Sequence, residues 1–301
     1  MHHLLPLAAV LLLSTIPTET KVVTSVKDCE EFFLDQTPPK IMGILVGGNI
    51  LDQNRYKLIC QTFDDTRTFV TLYDTHNKIP VFSAAKFRGS TAGRPSHPWM
   101  IEPQAGDTDY NPYNQQGFDR GHLFPNSYAC DLTEKKSTFT LTNVVPQNKR
   151  FNRGKWKKME LCVKKFLDEN CINNNNKKEG FVVIGAKPSD SVSTDSSLLN
   201  NNKINIPSVL WSAFCCYSRS QNTLKKGKVT QNEIIMYISD LYKKRNFKER
   251  CQSVQFPSPS KGHQRNESHY CFGFHLQKVN NKFMSVNSIS LCGATHRGVK
   301  L

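Results

Sequence analysis

The sequence predicts one α+β domain carrying long loops, and three observations lead there. Short runs rich in Val, Ile, Phe, Tyr and Thr recur at 55–60, 68–73, 79–87, 181–186 and 205–217, with the composition of β-strands. A single segment, 152–169, instead sets Trp156, Met159, Val163, Phe166 and Leu167 on one helical face. Across the 301 residues there is no internal repeat, no heptad run and no clean linker, so the chain reads as one unit with a sizeable core.

Taken in order, residues 4–16 form an apolar run, too short for a membrane span of about twenty helical residues. Residues 1–20 therefore read as a secretory signal peptide and 21–301 as the domain it exports. No later stretch is apolar enough to span a membrane, and the tail at 292–301 is no lipid-anchor signal. The segment 21–39 is an N-terminal arm carrying Cys29. The two strands that follow lead to a turn at Asp74-Thr75-His76-Asn77 and an extended segment begun by Pro80. Residues 88–113 are a Pro-rich loop with Trp99 as a packing anchor. Thr and Val predict a strand at 137–145, followed by the helix at 152–169, a polar turn at 173–178 and a long polar loop at 188–202. The residues from 234 to 242 suit helix or strand, 253–268 a loop, and 272–276 and 283–291 late strands.

Ten cysteines, at 29, 60, 130, 162, 171, 215, 216, 251, 271 and 292, form an even set behind a leader. That favours disulfides in an oxidising compartment, and no Cys-x-x-Cys pair supports zinc. The neighbours Cys215 and Cys216 are expected to take different partners. Asn266-Glu267-Ser268 is a glycosylation sequon.

A formal charge of +15 favours polyanionic partners: nucleic acid, heparin-like sugars or an acidic membrane face. The charge is concentrated, with eight Lys and Arg between Lys149 and Lys165 against the single acid Glu160. Upstream lies Asp119-Arg120-Gly121-His122. His122 is a base near neutral pH. In an extended segment Arg120 and His122 share a face, Asp119 takes the other, and Gly121 lets a nucleic acid approach. Arg120 can then hold the phosphate while Asp119 makes a structural salt bridge or hydrogen bond. Asn152 and Glu160, eight apart on a helix, are about 12 Å and 80° from each other. That spacing suits Asn152 as an inner ligand and Glu160 as a holder of metal-bound water, an arrangement that suits Mg²⁺. Taken singly, each of these residues also has a structural explanation, Asn152 as an N-cap and Trp156 as core.

Taken together, Asp119 to His122, Thr142-Asn143, Pro146-Gln147, Asn152, Trp156 and Glu160 resemble the signature of the DNA/RNA non-specific endonucleases of the ββα-metal, or His-Me finger, class. Cys29 to Phe33, Asn54 to Cys60, Ile79 to Ala84 and Pro98 to Pro103 look like the vertebrate endonuclease domain-containing 1 proteins. The resemblance implies a ββα-metal core within a mainly antiparallel sheet. It implies His122 as general base, Arg120 at the phosphate, Asn152 as Mg²⁺ ligand (Mn²⁺ as a substitute) and Glu160 in the outer shell. Asp119, Asn143 and Gln147 are supporting residues. For a second arginine found in some members, Arg88 is the position put forward. Lys149, Arg150, Arg153, Lys155, Lys157 and Lys158 are the nucleic-acid-binding set. The expected activity is sequence-independent hydrolysis of DNA, with RNA as a candidate second substrate, and the resemblance implies 5′-phosphate and 3′-hydroxyl ends. The competing reading is a secreted polyanion-binding protein on the same fold with little or no turnover.

Overall fold

The computed structural model describes residues 15–17, 20–105, 117–173, 175–189, 198–199, 204–216 and 275–278. Ten labelled strands organise it: β1 (Lys21–Val23), β2 (Tyr56–Phe63), β3 (Thr66–Asp74), β4 (Ile79–Phe87), β5 (Trp99–Ile101), β6 (Phe118–His122), β7 (Val144–Asn148), β8 (Gly180–Lys187), β9 (Val209–Cys215) and β10 (His275–Lys278). Seven of them form an antiparallel sheet in the order β10-β9-β8-β4-β3-β2-β1. The expected mixed α/β architecture with antiparallel pairing and few helices is what the chain adopts. Thr15–Pro17, inside the segment read as a leader, pairs in parallel with β5.

The sheet is buried on both faces, and period-two alternation sorts its side chains between two cores. Ile59, Phe69, Ala85, Phe87, Val182 and Ile184 join the core that also holds Val144, Val145, Trp156 and Leu167. Leu58, Val70, Leu72, Phe82, Ala84 and Val183 face the other core, against Phe32, Phe33 and Leu34 of the N-terminal arm. The Cys29–Cys60 disulfide fastens that arm to β2, and Cys171–Cys216 ties the end of the long helix to the end of β9. Cys162 is also disulfide-bonded. Gly185 in β8 is dictated by packing. A Cβ there would stand 2.2 Å from the Trp211 ring and 2.5 Å from the Val81 carbonyl oxygen.

Two predicted elements are corrected. The expected strand at 137–145 is split: α1 (Leu132–Ser137) ends inside it, Leu141–Asn143 is a 3₁₀ turn, and β7 begins only at Val144. The Asn143 side chain bonds backbone at Phe124 and Thr138, which holds this Thr-rich stretch in a turn. The helix is present but compound. A turn at Lys149–Phe151 passes into a π-helical turn at Asn152–Trp156 and then into α2 (Lys157–Asn170). The apolar stripe is as expected, with Trp156, Met159, Val163 and Leu167 buried. Cys130 carries no disulfide, which departs from full pairing of the cysteines. Cys251, Cys271, Cys292, the sequon at Asn266 and the elements expected at 234–242 and 283–291 lie outside the described residues.

Candidate active site

β6 and β7 form an antiparallel ribbon whose register sets His122 opposite Val144, Arg120 opposite Pro146 and Asp119 opposite Gln147. The helical segment begins directly after β7, capped by Asn148, whose Oδ1 accepts from the backbone N–H groups of Arg150 and Phe151. Strand, strand and helix are thus joined at Asp119. Its Oδ2 accepts from Asn152 Nδ2 at 3.0 Å, while Arg153 donates through Nε and Nη2 to both oxygens at 2.8 and 2.7 Å. Burial pushes the Asp119 carboxyl up. The hydrogen bonds from Arg153 and Asn152, with the charges of Arg153 and Lys149, outweigh it and leave the group below its ordinary range.

This clamp orients Asn152. A carboxylate only accepts, so the amide nitrogen must face Asp119, and the carbonyl oxygen is turned elsewhere. The clamp also gives Arg153 a task not foreseen: its guanidinium is a fork on Asp119 before it is a phosphate contact. The π turn invalidates the α-helical estimate of the Asn152–Glu160 offset, because it winds more residues per turn. Glu160 is half-buried, and burial pushes its carboxyl up to about 8 against the opposing pull of Trp156 and the Lys157 charge. Its backbone oxygen accepts from the Tyr128 hydroxyl at 2.9 Å. Among the described residues, no group of three or more His, Cys, Asp or Glu converges as a metal cage.

On the other side of the ribbon, Arg120 and His122 share a face as the strand alternation requires, since both lie against Trp99. The Arg120 guanidinium is 5.3 Å from the Trp99 ring centroid and the imidazole 5.2 Å. Phe139 meets His122 edge-on at 5.5 Å. His122 Nε2 is buried without a hydrogen-bond partner. Burial, aided by the charge of Arg94, pulls the imidazole pKa from 6.5 down to about 3. The expectation of an untuned histidine titrating near neutrality is therefore corrected: its surroundings keep it neutral at physiological pH.

Gly121 is required for a different reason from the one expected. The Gln147 side chain lies across it, with Cδ 2.2 Å and Cγ 2.5 Å from the place a Cβ would occupy. That space is filled from within the protein. Both polar atoms of Gln147 are buried without partners. Asn143, fully buried, accepts from Ser83 Oγ at 2.9 Å and from the Phe124 N–H at 3.0 Å, and donates to the carbonyls of Phe124 and Thr138. It fixes the backbone that leaves His122. Of the basic set, Arg150, Lys155, Lys157 and Lys158 are exposed and Lys149 is half-buried.

Arg88 is not the second arginine of the site. It pairs with Glu134 at 3.3 Å and donates to the Cys130 thiol. Arg94, missed in the sequence, is the arginine near the histidine: it lies 5.0 Å over Phe139 and its charge acts on His122. Nothing in the local sequence of the 88–113 loop distinguishes it. α1, which the sequence analysis did not place, has its signal in the spacing of Asp131 and Glu134, and Asp131 Oδ1 accepts from the Glu134 N–H.

A family profile described as DNA/RNA non-specific endonuclease matches residues 49–271. The human endonuclease domain-containing 1 protein is 26% identical over 214 residues, which cover 63% of this chain and 39% of that protein. The chain thus matches only about two-fifths of that relative's length. A nuclease of Nostoc is 28% identical over 100 residues, 33% of this chain and 32% of that one. Among solved structures, a chain of the EndoG/EndoGI complex aligns with a TM-score of 0.40 and 16% identity, covering 52% of this chain and 68% of that one. With the family profile spanning most of its length, this chain belongs to the DNA/RNA non-specific endonuclease family.

Proposed function

We propose that the protein is an exported, metal-dependent endonuclease of the ββα-metal type that hydrolyses phosphodiester bonds of DNA and RNA without marked sequence preference. The observation that carries this reading is the Asp119 clamp, which engages the Asn152 amide nitrogen and leaves its carbonyl oxygen as the end that can serve as a ligand. One neutral oxygen donor, with the remaining positions left to water and phosphate, fits Mg²⁺, and Mn²⁺ as a substitute. When bound, such a cation supplies charge compensation at the phosphate and the leaving oxygen. Asn152 would hold it directly, and Glu160, on the next stretch of helix, would hold its water.

The remaining chemistry falls to the chain's own groups. His122, neutral at working pH, accepts the proton of the attacking water. Arg120, over the Trp99 ring, and Arg94, over the Phe139 ring, bind the phosphate. The exposed lysines of 149–158 contact further phosphates, which carry affinity but no sequence information.

The test is hydrolysis of plasmid DNA and of RNA by purified protein, with Mg²⁺ and with excess EDTA. His122→Ala should slow hydrolysis by about 10² to 10⁴ while binding survives. Asn152→Ala should abolish metal-supported activity, and Glu160→Ala should cost about 10 to 100-fold. Full activity in EDTA overturns the metal assignment. DNA that is bound and left intact with Mg²⁺ makes the protein a polyanion-binding member of its family.

A further inference from the structure

The catalytic histidine is the inner end of a row of aromatic rings that reaches the surface. Phe63 at the end of β2 meets His97 at 5.4 Å, His97 meets Phe139 at 5.9 Å, Phe139 meets Trp99 at 5.4 Å, and Trp99 meets His122. Phe139 is buried, whereas Phe63, His97 and Trp99 are half-buried, so the row is not sealed as a core would be. Two guanidinium groups lie on it, Arg94 over Phe139 and Arg120 over Trp99. Arg94 is itself exposed, so the face of Phe139 that it covers is the one turned toward solvent. A phosphate group attracts a guanidinium more strongly than an aromatic face does. A bound nucleotide can therefore draw an arginine off its ring and leave that face bare beside the scissile position.

We propose that the Phe63–His97–Phe139–Trp99 row is a nucleobase-stacking subsite, and that it makes single-stranded nucleic acid the preferred substrate. The proposal rests on the nuclease reading for the identity of the polymer. Bases in a duplex are stacked on their neighbours and present only edges, so a duplex gains nothing from an aromatic shelf. An unpaired strand turns a base face outward, and every base has one, so the preference is for strandedness and not for sequence.

The experiment compares a fluorescein-labelled mixed-sequence single strand with a hairpin duplex of equal phosphate count. Binding is read by anisotropy in EDTA, so no turnover is involved. His97 lies outside the proposed catalytic groups. Its replacement in His97→Ala should weaken single-strand binding about tenfold, within the range for loss of one base–aromatic stack, and leave hairpin binding nearly unchanged. His97→Phe, which keeps a ring, should restore the single-strand affinity, and Phe63→Ala repeats the measurement at the outer end. Trp99→Phe should remove the quenching of tryptophan emission by the bound single strand, because Trp156 and Trp211 are buried. Equal weakening on both ligands, no weakening on the single strand, or failure of the phenylalanine to rescue overturns the shelf while leaving the nuclease reading in place. Absence of binding to either ligand overturns both.

Discussion

Replacing His122 with phenylalanine should flatten the acid side of the stability curve. The imidazole titrates near 6.5 in an unfolded chain and near 3 in the fold, with burial as the first cause and the Arg94 charge as the second. The folded value is the lower one, so on acidification the unfolded state takes the proton first. Stability is therefore fully present above about pH 6.5 and is lost as pH falls toward 3. Each pH unit in that window costs about 1.36 kcal/mol, and a gap of about 3.5 amounts to about 5 kcal/mol. Against a typical total of about 5 to 15 kcal/mol, a contribution of that order is large enough to measure. Phenylalanine fits among Trp99 and Phe139 and carries no titratable group. Urea unfolding under non-reducing conditions at pH 7, 6, 5 and 4 should show the difference between wild type and variant tilting by about 1.4 kcal/mol per unit below pH 6. In the wild type, kcat/KM should show no histidine titration between about pH 5 and 8. Parallel stability curves for the two proteins, or an activity that rises through pH 6.5, would refute a buried neutral imidazole.

Asp119→Ala removes the orienting partner of Asn152 and should lower Mg²⁺-supported cleavage about 10 to 100-fold, with partial recovery as Mg²⁺ is raised. A Mg²⁺ titration unchanged from wild type would sink the clamp. Gly121→Ala drives a methyl group into Gln147 and should destabilise the fold by about 1 to 3 kcal/mol in thermal or urea unfolding, and the added Gln147→Ala change should relieve most of that loss. An additive double mutant counts against the contact. Thiol labelling in denaturant without reductant should modify the Cys130 peptide and leave Cys29, Cys60, Cys162, Cys171 and Cys216 unmodified. In the folded protein, labelling should be slow, because burial first and the Glu134 charge second push the thiol up to about 12. Replacing Lys157 and Lys158 with glutamine should flatten the slope of log affinity against log salt on duplex DNA by up to about two, and no change in slope would make them a merely solvated helix face.

The sequence made the sheet legible where its period was clean. The segment 79–87 appears as β4 with both ends where expected, and 181–186 appears as β8 longer by one residue at each end. It misled where side chains compete with the backbone. Thr138, Thr140, Thr142 and Asn143 have strand-like neighbours, yet the Asn143 amide and the Thr138 hydroxyl take backbone partners that hold a turn. The site was legible in its residue types and not in its contacts. Alternation along β6 correctly separates Asp119 from Arg120 and His122, because that depends only on a period of two. The π turn at Asn152 and the placement of Arg94 depend on tertiary packing, which no local pattern encodes. The role of Gly121 was misread for the same reason: what fills its missing side chain is Gln147 from the facing strand.

The position of the site follows from the sheet more than from the ribbon itself. Thr71 Oγ1 and Ser83 Oγ, on neighbouring strands β3 and β4, lie 3.1 Å apart, and the Ser83 hydroxyl donates a hydrogen bond to Asn143 Oδ1. Gln61 of β2 donates to Thr142 Oγ1 at 2.9 Å. These polar side chains sit within an otherwise apolar core, where an unpartnered group costs about 1 to 3 kcal/mol. Sliding the 140–143 turn along the sheet would leave several of them unpaired at once, so one placement is selected. That placement fixes Phe124 and hence the strand end at His122, while β7, leaving the same turn, delivers Gln147 and Asn148 and starts the helix that carries Asn152. His122 and Asn152 are thus set by one buried network from opposite sides of the ribbon, although neither hydrogen-bonds to the other. Substitutions at Ser83 or Thr142 should therefore lower any nuclease activity by shifting His122 and Asn152, in step with a loss of stability in urea unfolding.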